Sequence, residues 1–212
     1  MKARDIDAFF EDLSRRIDRP VRVLLTGGAA GILQGMKRAT FDIDFEIRLK
    51  PSGRSGAANA WERLHRAIDE TARATGITPQ YAEDIGGWSL IALPAKRSGL
   101  YRRFGGVEVR ILHPALWAVG KLTRYLSTDV QDLRTVLKHT GTDPKGAVRT
   151  WGTALGKSPA SSSQATFRKQ VEAFLDQYAH EIWGPSAKKD ELKQLFLHSA
   201  QKARAKRSVP GR

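Results

Sequence analysis

Apolar residues recur along this chain with two periods, and the change from one to the other divides it. Ile6, Phe9, Phe10, Leu13 and Ile17 keep the i, i+3, i+4, i+7 spacing of an amphipathic helix over residues 6–17, which Arg19-Pro20 ends. The run Val21–Leu25 is continuously aliphatic and predicts a buried strand. A small-residue turn follows from Thr26 to Gly31, then a short helix-like segment. A second strand then carries Asp42, Asp44 and Glu46 at alternate positions, which places them on one face. Residues 51–56 (PSGRSG) predict a loop. Trp61, Leu64, Ile68 and Ala72 predict a helix over 58–74, with Gly76 as its C-cap. Further strands are expected at 77–81, 88–93 and Val107–Leu112, with turns at Gly86-Gly87 and Gly105-Gly106.

From Pro114 onward the period is helical. Leu116, Val119, Leu122 and Leu126 line one helix over 116–126; Val130, Leu133, Val136 and Leu137 line the next over 130–139. A third is expected at 147–155. Residues 157–165 (KSPASSSQA) read as a linker or mobile loop, and final helices follow at 167–183 and 190–203. The last ten residues, 203–212, are expected to be a disordered basic tail. These elements predict an α/β (α+β) chain: a mixed sheet flanked by helices in residues 1–113, then a helical domain in 114–212.

The composition narrows the class of protein. At 212 residues and 41% apolar, the chain can bury one sizeable core, and no run reaches the length of a membrane span. The N-terminal stretch is mixed in charge and lacks the apolar centre of a signal peptide. With no cysteine there are no disulfides or thiolate metal sites, which fits the cytoplasm. The five histidines are scattered without ligand spacing. Thirty-six basic residues against 22 acidic give a net charge of +14, which favours polyanionic partners such as nucleic acid, although many basic proteins bind none.

Candidate chemistry concentrates between Val21 and Leu49. Two carboxylates on one strand face repel each other unless a cation lies between them, and hard oxygen ligands suit Mg²⁺ or Mn²⁺. A glycine turn opening a helix can hold phosphate on its backbone N–H groups. Asp42 and Asp44 beside Thr26, Gly27 and Gly28 therefore suggest a metal–nucleotide site; the plain alternative is a solvent-facing strand edge. A second glycine pattern, Gly152 to Ser158, has three residues between its glycines where a P-loop needs four, and it follows no strand. It is rejected.

The stretch from Gly27-Gly28 through thirteen residues to Asp42-Ile43-Asp44-Phe45 resembles the signature of the DNA polymerase β-like nucleotidyltransferase superfamily, where about ten to thirteen residues separate the two elements. With Arg38 and Thr40 before the aspartates, it looks most like the small prokaryotic branch that includes AbiEii-type toxins. The resemblance implies two-metal transfer of NMP from an NTP to an acceptor hydroxyl, with Asp42 and Asp44 as shared metal ligands. It also implies a third carboxylate from a later strand, matched by Glu108, which on alternation alone fits an ordinary exposed strand residue equally well. Downstream, Lys121-x-x-Arg124 and Asp129-x-x-Asp132 are similar to elements of AbiEii-like relatives. Lys121 and Arg124 stand one turn apart on one face, opposite the apolar stripe; by the resemblance Lys121 would neutralise phosphate charge, Arg124 would contact nucleotide, and Asp132 would orient Lys121 or the acceptor. Otherwise Asp129 is an N-cap and Asp132 a first-turn acid of the next helix. Arg38 would contact phosphate or brace the carboxylates, and Thr40 would contact nucleotide or simply begin the strand.

Two basic segments could add contacts. The segment 94–106 carries Lys96, Arg97, Arg102 and Arg103 with Tyr101 and Phe104 interleaved, and reads as a loop touching triphosphate or nucleic acid, or as a solvated hairpin loop. From Lys188 on, eight basic residues stand against two acidic ones, a docked helix with a basic tail that grips RNA or serves solubility. The leading expectation is an RNA acceptor, a tRNA 3′ end foremost, in a toxin of a toxin–antitoxin or phage-defence system with an antitoxin protein as partner. The rivals are transfer to a protein or to a small molecule such as an aminoglycoside, and a non-catalytic binding module or antitoxin.

Overall fold

The computed structural model describes residues 1–49, 57–94 and 97–208, and the chain forms two compact units. The expected loop at 51–56, Lys96 and residues 209–212 lie outside the described residues. The first unit comprises 1–33, 38–85 and 98–112; the second comprises 34–37, 86–97 and 113–212. The second unit thus takes in 113 and two short segments of the half expected to form one domain.

The first unit contains helices α1 (Ala3–Arg16), α2 (Gly27–Leu33) and α3 (Ala57–Thr75) and strands β1 (Val21–Leu25), β2 (Asp42–Leu49), β3 (Thr78–Ala82), β4 (Ser98–Phe104) and β5 (Val107–Leu112). The strands form one mixed sheet in the order β3-β2-β1-β5-β4. β1 runs antiparallel to β2 and parallel to β5, β2 is parallel to β3, and β4 is antiparallel to β5. Strict alternation separates the two faces. Val21, Val23 and Leu25, with Ile43, Phe45, Ile47, Val107 and Val109, form a fully buried face. On α1, Phe9 and Phe10 meet Phe45 with ring centroids 6.1 and 5.8 Å apart. Each such buried ring contributes roughly 1.5–3 kcal/mol. Leu64 and Ile68 bury the inner side of α3.

The opposite face carries Arg22, Leu24, Asp42, Asp44, Glu46, Arg48, Glu108 and Arg110 in register. Three expectations are corrected in this unit. Residues 98–104, expected as a loop, form β4. Glu108 is not exposed: Arg22 Nε lies 3.1 Å from its Oε1, Arg103 Nη2 3.7 Å from its Oε2, and Arg110 Nη1 3.5 Å from Oε1. Tyr101 and Arg102 are committed to α1, both donating to Asp7 at 2.7 Å, and burial with that bond pushes the Tyr101 phenol up to about 12.

The second unit holds α4 (Pro114–Arg124), α5 (Ser127–His139), α6 (Pro144–Lys157), α7 (Ser162–Trp183) and α8 (Lys189–Ser208). Trp151 is fully buried, and its Nε1 donates to Ala115 O at 2.9 Å. The expected strand at 88–93 is absent. A 3-10 turn spans Ile85–Trp88, and Ala92 N–H donates to Ser158 Oγ at 2.9 Å instead of to a ladder. Only residues 158–161 separate α6 from α7, so the expected linker at 157–165 is mostly helix. Ser158 and Gln164 are buried there, and the Gln164 amide donates to Leu155 O and Ser158 O. α8 continues to Ser208, past the expected start of the tail.

The rejected P-loop look-alike has a packing role. Gly152 and Gly156 lie on the face of α6 that meets α8, where a Cβ on either would collide with the carbonyl oxygens of Phe196 and Ala200. Two glycines one turn apart let the helix backbones approach directly. Gly156→Leu is therefore expected to destabilise the helical unit by roughly 1–3 kcal/mol, read as a lower urea midpoint. An unchanged midpoint would show that the α6–α8 approach is not close in solution.

Candidate active site

Thr26 ends β1 by donating its N–H to Asp44 O at 3.0 Å and starts α2 by accepting Ala30 N–H at 3.1 Å. Gly27 follows at φ +53°, a left-handed conformation that glycine adopts without penalty. A Cβ at Gly27 would collide with Asp44 Oδ2, and one at Gly28 would stand 2.6 Å from Thr40 Oγ1. Glycine is required because the turn lies directly on the carboxylate and the threonine. Gly28 N–H points to Asp44 Oδ2 at 3.3 Å, so this amide, expected to meet phosphate, faces the carboxylate.

Asp42 and Asp44 share the charged face of β2, both half-buried. Thr40 is buried, and its hydroxyl donates to Asp42 Oδ1 at 2.7 Å. Gln80 on β3 donates to Asp42 Oδ2 at 3.0 Å. Among the described residues, Asp42 has neutral donors and no arginine or lysine. Gln80 escaped sequence reasoning because only the parallel pairing of β2 with β3 brings it there; its one signal was an alternate polar position in the strand. Arg38 is exposed and precedes this cluster in the same unit.

Glu108 does not join the two aspartates. It is level with Arg22 and Arg48, whereas Asp44 follows Phe45, the partner of Leu25. The offset is four residues along the sheet, ~13 Å at a rise of roughly 3.3 Å per residue. The third-ligand expectation is therefore corrected: parallel register carries Glu108 to the other end of β5's paired stretch. Glu46, the next carboxylate on the face, is buried against Ile85 N–H at 3.2 Å and Arg48 at 2.8 Å. The residues that fit a divalent cation are Asp42 and Asp44. Each Asp42 oxygen accepts one hydrogen bond from a neutral donor and has lone pairs beyond it, and hard oxygen donors are what Mg²⁺ or Mn²⁺ takes.

Lys121, Arg124, Asp129 and Asp132 come together within the second unit. Lys121 does not lie opposite the apolar stripe as expected. It is 4% exposed, and its Nζ donates to Asp129 Oδ1 and Asp132 Oδ2, each at 2.8 Å. Two carboxylates on α5 make burial of this ammonium tolerable. Arg124 is exposed and donates to Asp129 at 2.8 and 3.2 Å. Asp129 is no N-cap, because α5 begins at Ser127 and the aspartate sits inside its first turn. Burial pushes the Asp129 carboxyl up, but the Arg124 and Lys121 hydrogen bonds outweigh it and hold the group below the ordinary carboxylate range.

Sequence reasoning also missed His113, which caps α4 by accepting Ala115 N–H at 3.3 Å on Nδ1. Burial, then nearby Arg97, lower its pKa. Comparison with family models, curated proteins and solved structures finds no match to this chain.

Two outcomes follow from these charges. Lys121→Met removes the buried ammonium that Asp129 and Asp132 share and is expected to cost roughly 3–5 kcal/mol, measured by urea unfolding; a cost near zero would mean the cluster is solvated. His113 must be neutral to accept at the cap, so its folded pKa lies below the unfolded one. Its contribution is full above the ordinary value of 6.5 and is lost as pH falls below it. His113→Asn, which caps without titrating, should flatten that part of the stability–pH curve. Asp129 adds a later loss below the ordinary value of 3.8.

Proposed function

We propose that this chain is a metal-dependent nucleotidyltransferase, moving NMP from an NTP to an acceptor hydroxyl. The observation that carries the reading is the Gly27-Gly28 turn lying on Asp44 and Thr40, beside Asp42 on one strand face. Asp42 and Asp44 would hold Mg²⁺ or Mn²⁺, which when bound polarises phosphate and lowers the pKa of a bound hydroxyl. Thr40 and Gln80 keep the Asp42 carboxylate turned in one direction by donating to both of its oxygens. Glycine at 27 and 28 lets the turn backbone lie against Asp44 and Thr40, where a side chain would collide.

The excess of positive charge supports RNA as the acceptor, with a tRNA 3′ end and a toxin role as the resembling branch implies. A binding-module reading is favoured by one observation: Glu108, the third carboxylate of the resemblance, belongs to an arginine cluster instead.

The test is incubation of the full chain with each labelled NTP, Mg²⁺ and total RNA, and separately with lysate protein. Labelled RNA is expected, with a loss of at least about 100-fold in Asp42→Asn and Asp44→Asn, the scale on which charge-stabilising groups act. Glu108→Gln should keep the label. Labelled protein would move the acceptor, and no label in any reaction would leave the binding module. Growth arrest on expression that disappears in the double variant would support the toxin role.

A further inference from the structure

The second unit contains a cleft of about 870 Å³ at the side of α5, reached also by α7 and by the segment 34–37. Its position follows from a glycine. Gly35 has φ +95°, and a Cβ there would run into the His139 imidazole, so only glycine lets this segment lie on the end of α5. That contact sets Lys37 on the cleft wall, with Lys138 on α5. Both lysines are exposed, and among the described residues neither pairs with a carboxylate.

The remaining wall includes two tyrosines and an arginine stacked on one of them. Arg134 stacks over the Tyr178 ring, 4.9 Å from its centroid, and is held by Glu181 at 2.8 Å. Glu181 is thereby offset, and the Arg134 fork keeps further donors. Tyr125 ends α4 at φ +54°, a left-handed conformation unusual for an aromatic residue. Its hydroxyl is buried with no hydrogen-bond partner among the described residues. Burial and Tyr178 push that phenol's pKa up, so it is a neutral donor. Tyr125 lines the cleft with its hydroxyl turned away from solvent, and a turn of the side chain would let a bound ligand satisfy that donor.

We propose that this cleft binds one nucleotide unit, with phosphate at Lys37 and Lys138, the base against Tyr178 and its stacked Arg134, and the Tyr125 hydroxyl donating to the ligand. The unpaired lysines meet phosphate, the stacked wall suits a base, and the volume lies within the roughly 300–1,000 Å³ typical of small-ligand sites. An acidic peptide would use the lysines but not the aromatic wall or the buried donor. The site uses residues of the second unit alone and does not depend on Asp42 or Asp44.

The test titrates the full chain with AMP, with a short single-stranded oligoadenylate and with inorganic phosphate, in EDTA without divalent cations. Its result is then separate from that of the transfer assay. Binding of AMP or the oligonucleotide is expected, weakened roughly tenfold by Lys138→Glu, as loss of a phosphate contact does. Tyr125→Phe should weaken it several-fold, as loss of one hydrogen bond does, while the melting temperature holds or rises because an unpartnered buried hydroxyl has gone. Equal affinity for AMP and the oligonucleotide would assign a free nucleotide, and tighter oligonucleotide binding a single strand. Binding of neither, affinity indifferent to both substitutions, binding of phosphate alone, or equal displacement by polyglutamate would overturn the proposal.

Discussion

The first unit depends on the alternation of its three central strands. Every second residue of β1, β2 and β5 is aliphatic or aromatic and turns to the helices, and all of these but the half-buried Leu49 and Ile111 are fully buried. The intervening residues are then forced onto the other face, where polar groups must find partners on the sheet itself. Glu108 finds arginines and Glu46 finds Arg48 and a backbone amide. Asp42 instead has a threonine hydroxyl and a glutamine amide. Neutral donors orient a carboxylate without cancelling its charge, which leaves it able to hold a cation.

A second consequence concerns glycine. Gly27, Gly35, Gly152 and Gly156 all stand where a Cβ would strike a neighbour, yet the neighbours differ: a carboxylate, an imidazole and two helix carbonyls. The chemistry of each place comes from what approaches, not from the glycine. A carboxylate against Gly27 makes a candidate catalytic centre, whereas backbone against Gly152 and Gly156 makes a helix contact. In the helical unit Lys121 is the corresponding buried charge, and two aspartates of α5 stabilise it.

Much of this was legible in the residues. The helix period placed α1, α3, α4, α5, α7 and α8 near their observed spans, and the apolar runs marked β1 and β5. Errors came where local signals compete. Residues 94–106 look like a loop because arginines interrupt the alternation, but Asp7 and Glu108 neutralise them and β4 forms. Residues 88–93 are apolar enough for a strand, but their amides find Ser158 and local partners. Lys121 looked solvent-facing because charge is normally outside, and only its two aspartates reverse that.

By itself the sequence determined the helices, the strands β1 and β5, the shared face of Asp42 and Asp44, and the nearness of Gly27-Gly28 to that strand. These depend on backbone period and on residues close in the chain. Tertiary structure alone decided that Glu108 lies four residues out of level with Asp44 and six with Asp42, that Gln80 reaches Asp42, and that the buried Tyr125 hydroxyl has no partner among the described residues. Register between distant strands and approach between distant helices are set by packing across the whole unit, which no period within one segment encodes.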